Sequence, residues 1–210
     1  MITVACVLRQ GGKVGYDADW VVKLRNSVAR NLVQTHRFVC LSDCDVDCER
    51  IPLINTGPGF WSKLELFRPG LFDTPVLYID LDTVICGNLD HIVSRIQDQR
   101  FVMLHETDKN VTSSAVMWWR GDQSHLYTQW ISESQATWAA QYSKMPRYGD
   151  QAFIEDRVEH TLLQQHIPSN WVAWSSQKQS NANAKLLIFR KVSQKPSTML
   201  DHALVKAHWH

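Results

Sequence analysis

The chain carries no surplus of charge of either sign: 22 lysines and arginines against 21 aspartates and glutamates leave a formal net charge of +1. That balance gives no electrostatic argument for nucleic acid or for an anionic membrane, so any binding of phosphate must come from a local site. Long hydrophobic runs are missing too. No stretch approaches the roughly 20 apolar residues that a spanning helix needs. Residues 2–8, which start directly after Met1 with no basic residue before them, read as a first strand rather than a secretory signal. Cysteine is scarce and odd in number: five residues cannot close a disulfide framework among themselves, which favours a reducing compartment and makes a cytoplasmic location the expectation. Cys40, Cys44 and Cys48 stand four apart, a spacing that fits neither the common zinc knuckles nor a redox Cys-x-x-Cys, and they are read as structural. No repeat, low-complexity tract or linker divides the chain, so residues 1–210 are expected to form a single domain.

Hydrophobic residues, at 44%, are plentiful enough for a globular core, and nine tryptophans stand out. Most are expected in that core, although the flat indole face also packs well on sugar rings and bases. The first third alternates strand and helix. After strand 2–8 comes a loop, residues 9–16, with Gly11, Gly12 and Gly15. A helix over about 19–32 follows, with Val21, Leu24, Val28 and Leu32 at helical spacing and Asp17 or Asp19 as its cap. Strands are expected at 37–41 and 50–54, a loop at 55–59, and a short helix at 61–67 carrying Lys63. Residues 75–79 form an almost wholly apolar run, as in a strand buried on both faces of a largely parallel sheet. Beyond it the pattern predicts a helix at 88–96, strands at 101–104 and 114–119, one long helix at 122–138, a shorter one at 150–158 and a strand at 186–189. The fold class that follows is α/β, a single mostly parallel sheet flanked by helices.

The chemistry is concentrated at Asp80-Leu81-Asp82, directly after the apolar run. In extended chain, residues i and i+2 project to one side, so two carboxylates are expected to converge at the carboxyl edge of the sheet, where open α/β sheets bind ligands. Two hard oxygen ligands suit Mn²⁺ or Mg²⁺, which would neutralise a departing diphosphate. A bare Asp-x-Asp is weak evidence, since most are solvated turns; its position after four apolar residues gives it weight.

The motifs around it strengthen the reading. Residues 61–67 with Lys63, residues 76–84 ending in Asp80-Leu81-Asp82, and Gly87-Asn88-Leu89-Asp90 together resemble glycosyltransferase family 8, the family of glycogenin and bacterial galactosyltransferases. Ser113-Ser114-Ala115-Val116-Met117 is similar to the family's Asn-Ser-Gly strand, and Tyr148-Gly149-Asp150-Gln151 to its Asp-Gln helix start; the likeness runs in order over about residues 1–160. The resemblance implies a GT-A fold, a UDP-sugar donor and transfer with retention of configuration. The acceptor, whether glycan, lipid or protein, is left open. It further implies that Asp80 and Asp82 hold the metal, that Lys63 and Ser114 contact the donor, and that Asp150 and Gln151 orient donor sugar and acceptor. Tyr16 is placed to stack on the base. Lys63 could equally be a solvated helix lysine, and Asp150 a helix cap.

The sequence departs from the family in two places. Arg190 stands where relatives carry a metal-ligating histidine, and arginine cannot ligate a cation. Three readings follow: His208 is the third ligand, or two aspartates with phosphate and water suffice, or Arg190 or Lys191 pairs with the diphosphate directly. Ser113 replaces the family's asparagine. Among rival functions, a haloacid-dehalogenase-type phosphatase also uses a hydrophobic strand ending in Asp-x-Asp, but there the motif opens the fold, whereas here nearly 80 residues precede it. A carbohydrate-binding module would be expected as a β-sandwich, which the strand–helix alternation opposes.

Overall fold

The computed structural model describes residues 1–12, 14–55, 59–106, 110–144, 148–176, 182–191 and 193–210. Lys13 of the expected glycine-containing loop, and residues 56–58 of the expected 55–59 loop, lie outside the described residues. The chain begins with β1 (Ile2–Leu8), α1 (Ala18–Asn31), β2 (His36–Ser42) and β3 (Glu49–Pro52). A 3₁₀ segment (Gly59–Phe67) leads to β4 (Val76–Ile79), β5 (Val84–Ile85), α2 (Asp90–Ile96), β6 (Phe101–Glu106) and β7 (Val111–Trp119). Then come α3 (Ser124–Ile131), α4 (Gln135–Gln141), α5 (Gly149–Glu155), β8 (Thr161–Leu162), α6 (Leu163–His166), β9 (Val172–Trp174), β10 (Leu186–Ile188) and α7 (Ala203–His208).

Seven strands form the main sheet in the order β3-β2-β1-β4-β7-β6-β8. All neighbours are parallel except that β7 runs antiparallel to both β4 and β6. The four residues of β4 are all buried, as its apolar sequence requires. Leu77 and Ile79 face the core that also receives Val21, Leu24 and Val28 of α1. Val76 and Tyr78 face the opposite core, shared with Trp61 and Leu64 of the 3₁₀ segment and Phe153 of α5. The tryptophans divide likewise: Trp118 packs on one side and Trp119 on the other. Asp17 caps α1, its carboxylate accepting from the Asp19 amide at 3.1 Å.

Two expectations need correction. The expected single sheet is accompanied by a second, three-stranded one, β5-β10-β9, because Val84 and Ile85 turn away from the main sheet and pair antiparallel with Leu187 and Leu186. The expected long helix over 122–138 is two helices. Ser134 adopts an extended conformation and its hydroxyl accepts from the Thr137 amide at 3.2 Å, so it starts a new helix where apolar periodicity alone would continue the old one. The 61–67 helix is present as 3₁₀, and no described helix is long and apolar enough to cross a membrane.

The 3₁₀ segment is fixed by Glu65, which is fully buried and accepts from the backbone amides of Ile54 and Asn55 at 2.8 and 2.9 Å. Removing this acceptor leaves both amides without their charged partner, so Glu65→Ala is expected to lower unfolding stability by about 1.5–3 kcal/mol. Urea denaturation measures the change; a loss no larger than that of an exposed-site control contradicts the anchoring role.

Candidate active site

The strand β4 ends at Ile79, and the two aspartates that follow sit in a turn rather than in extended chain. The Thr83 amide donates to the Asp80 carbonyl at 3.0 Å, while the Asp80 amide donates to the carbonyl of Ala115 on β7 at 2.8 Å. The turn, not strand pleating, therefore sets the directions of the two carboxylates, and Leu81 between them is tucked into the core.

Asp80 accepts from Lys63, whose ammonium lies 2.9 Å from Oδ1, and from the Tyr78 hydroxyl at 2.5 Å. Lys63 also donates to Ser114 at 3.0 Å and lies 3.4 Å from Asp150 Oδ2. The Ser114 hydroxyl closes the ring by donating to Asp150 at 2.6 Å. Ser114 reaches this position through an irregularity in β7: Met103 pairs with Met117, yet the next residue, Leu104, pairs with Ser113, so residues 114–116 have no counterpart on β6. Bulges of this kind re-aim side chains beside functional sites.

Asp82, 6% exposed, faces another set of partners. The Tyr16 hydroxyl donates to its Oδ2 at 2.8 Å, and the buried Lys195 ammonium donates to the same oxygen. The two aspartates remain close enough to influence one another. Burial raises the Asp80 pKa, Lys63 opposes this and the charge of Asp82 adds to the rise. Burial would lower the Lys63 pKa, but Asp150 and Asp80 reverse that effect and the net direction is up. Tyr16 and Tyr78 are both raised, first by burial and then by the neighbouring aspartates, so each stays protonated as a donor.

A cleft of about 240 Å³ opens over this arrangement. Of the residues expected at the site, Lys63, Asp80, Ser114, Asp150 and Gln151 line it together, as do Ser113 and Arg190. Asp82 and Tyr16 are not among the lining residues; they are joined to each other, and the Tyr16 ring meets Trp20 edge-on at 4.9 Å. Arg190 pairs with Glu106 at 3.2 Å and stacks its guanidinium on Trp174 at 3.8 Å. Sequence reasoning did not single out Lys195, Glu106, Phe60 or Tyr148. Lys195 and its following proline were visible just beyond β10, but nothing local linked them to Asp82. Phe60 and Tyr148 form an exposed aromatic pair at the rim, with ring centroids 5.4 Å apart.

The expected third metal ligand is not brought in. His208 ends α7, where its carbonyl accepts from Arg30 of α1 and its pKa is lowered by burial, Arg30 and His210. The neighbouring Trp209 is held against Trp20. Among the described residues no three His, Cys, Asp or Glu side chains form a group that could hold a metal, which applies equally to the cysteines at 40, 44 and 48. The donor set present does not fit a dedicated divalent-cation site. The Asp80–Asp82 turn supplies two carboxylates, and both already receive a lysine ammonium and a tyrosine hydroxyl.

Comparison with solved structures places this architecture. An active-site mutant of LgtC superposes with a TM-score of 0.60 at 11% identity, covering 100% of this chain and 97% of that one. The galactosyltransferase LgtC in complex with donor and acceptor sugar analogues gives 0.56 at 11% identity over the same shares. A glycosyltransferase involved in glycosylation of the major capsid of PBCV-1 gives 0.54 at 13% identity, covering 89% of this chain and 91% of its own. The fold is a glycosyltransferase fold. No protein-family model matches the sequence, and no curated protein sequence matches it either. The likeness thus resides in the backbone arrangement.

Gly149 shapes one wall of the cleft. Its φ of +64° is left-handed, and a Cβ there would lie 2.6 Å from the Phe60 ring. Gly149→Ala is expected to cost about 1–2 kcal/mol from backbone strain alone, with a further loss from displacing Phe60. Adding Phe60→Ala should recover the second part and leave the first. A urea double-mutant cycle reads the coupling, and strict additivity would show that the ring and the glycine are independent.

Proposed function

We propose that residues 1–210 act as one glycosyltransferase domain, moving a hexose from a nucleotide-diphosphate donor of the UDP type to an acceptor hydroxyl. The observation that carries this reading is the Lys63–Asp80–Ser114–Asp150 ring lining a cleft at the carboxyl edge of the sheet. Open α/β folds bind nucleotides at that edge, and the fold shared with glycosyltransferases supports the assignment. The sequence resemblance to family 8 supports a retaining outcome.

In such a transfer the acceptor hydroxyl oxygen bonds to the anomeric carbon, the bond from that carbon to the diphosphate oxygen breaks, negative charge collects on the departing diphosphate, and the hydroxyl proton passes to that departing oxygen. Preorganised cations at that point lower the barrier. Lys63 and Arg190 line the cleft, and Lys195 stands on Asp82, two residues along the chain from the lining residue Asp80; each is held by carboxylates before any substrate arrives. Asp150, 5% exposed and fixed by Ser114 and Lys63, would orient the sugar hydroxyls, with Gln151 beside it in the cleft. Tyr16 would adjoin the nucleoside from its place over Asp82. The exposed rings of Phe60 and Tyr148 suit the apolar face of an acceptor sugar.

UDP is expected to raise the melting temperature of the protein, and UDP to be released slowly from a UDP-hexose. Asp150→Asn should retain UDP binding while lowering that release about a hundredfold, as loss of positioning does. Hydrolysis of p-nitrophenyl phosphate, with no binding of UDP or UDP-sugars, would instead establish the phosphatase alternative that shares the Asp-x-Asp turn.

A further inference from the structure

We infer that the donor is bound without a divalent cation, the positive charge at the diphosphate being built into the chain as Lys195 and its neighbours. This rests on the donor reading above and adds to it the source of the neutralising charge. Three observations support it.

Both aspartates that a metal would use are already engaged by cations and hydroxyls of the chain. Asp82 Oδ2 accepts from both Tyr16 and Lys195, and Asp80 accepts from both Tyr78 and Lys63. Lys195 is itself only 8% exposed, so its ammonium has no bulk water to retreat into. A divalent ion at Asp82 would have to displace that ammonium and then sit beside it in a poorly screened environment, where like charges repel strongly.

The local charge is also nearly balanced. Asp80, Asp82, Asp150 and Glu106 face Lys63, Lys195 and Arg190, which leaves one net negative charge among these groups. A dedicated divalent site ordinarily keeps a surplus of carboxylates for the ion; here the cations already present take up most of that surplus. Finally, the wall where a third ligand would be expected supplies Ile188, Phe189 and Arg190 to the cleft. None of these can ligate a metal, and the arginine instead brings a permanent positive charge.

The test is titration of the full chain with UDP by isothermal calorimetry, once in excess EDTA and once with Mn²⁺ in place of EDTA. Affinities that agree within about threefold, well under one pK unit of free energy, are the expected result. Binding seen only with Mn²⁺ overturns the inference and leaves the transferase reading standing. Absence of binding under both conditions overturns the donor reading, and this inference with it. Lys195→Met should weaken UDP binding in EDTA about tenfold or more, as loss of a charge-assisted phosphate contact does. Because that variant strands Asp82, the paired variant Asp82→Asn with Lys195→Met is measured beside it. Parental affinity in EDTA for the paired variant would show that Lys195 is not the cation and would overturn the inference.

Discussion

A single buried ammonium ties the site together. Lys63 comes from the 3₁₀ segment, Asp80 from the turn after β4, Ser114 from the bulged part of β7 and Asp150 from the first turn of α5; the lysine contacts all three others. A lysine that is 8% exposed is tolerable only with carboxylate partners, and the pair Asp80 and Asp150 is tolerable at this spacing only with a cation between them. Each element is consequently held in place by a charge belonging to another. Buried polar networks of this kind are costly when half satisfied and rigid when complete, which suits the proposed task of holding sugar hydroxyls in one orientation.

The same logic extends to the second aspartate. Asp82 could not be buried alone, and its partners, Tyr16 and Lys195, arrive from the loop after β1 and the segment after β10. The chain's beginning and its last third thus meet at a point two residues from the Lys63 network. The small sheet β5-β10-β9 has its role here. By pairing Val84 and Ile85 with β10, it fixes the approach of Arg190 and Lys195 to the aspartate turn. A fold with only the main sheet would leave Asp82 without Lys195 and Glu106 without Arg190.

How much of this could be read in the sequence differs by feature. The apolar run of β4, its buried position and the placement of Asp80 at the sheet's carboxyl edge were legible, because burial on both faces leaves a compositional mark. Lys63, Ser114, Asp150 and Gln151 were found through ordered motifs, and the structure gathers them around one cleft. What was not legible depends on distant pairing. The bulge that turns Ser114 inward comes from the mismatch between β6 and β7, and no property of residues 113–117 announces it. The break at Ser134 is a local capping preference overriding a helical period that continues through it. Lys195 is 113 residues from its partner Asp82, and a lone lysine before a proline has many surface explanations. His208 looked suitable because histidine is a metal ligand by type; the helix carrying it is instead anchored by Arg30 and by the Trp20–Trp209 contact.

The departure from a three-ligand metal set and the presence of Lys195 are linked by electrostatics rather than by coincidence of position. Two neighbouring carboxylates, Asp82 buried and Asp80 partly so, must be neutralised in the folded protein whether or not a ligand is bound. A protein that relies on an exchangeable ion meets that requirement only while the ion is present, and its empty site carries the full repulsion. Lysine side chains meet it permanently, since they are covalently attached and cannot diffuse away. The requirement that stabilises the empty fold then leaves ammonium groups beside the place where a leaving diphosphate would develop its charge. On this view stability and chemistry draw on the same cations, and residues 63 and 195 are as much part of the core's electrostatic balance as of any reaction carried out in the cleft.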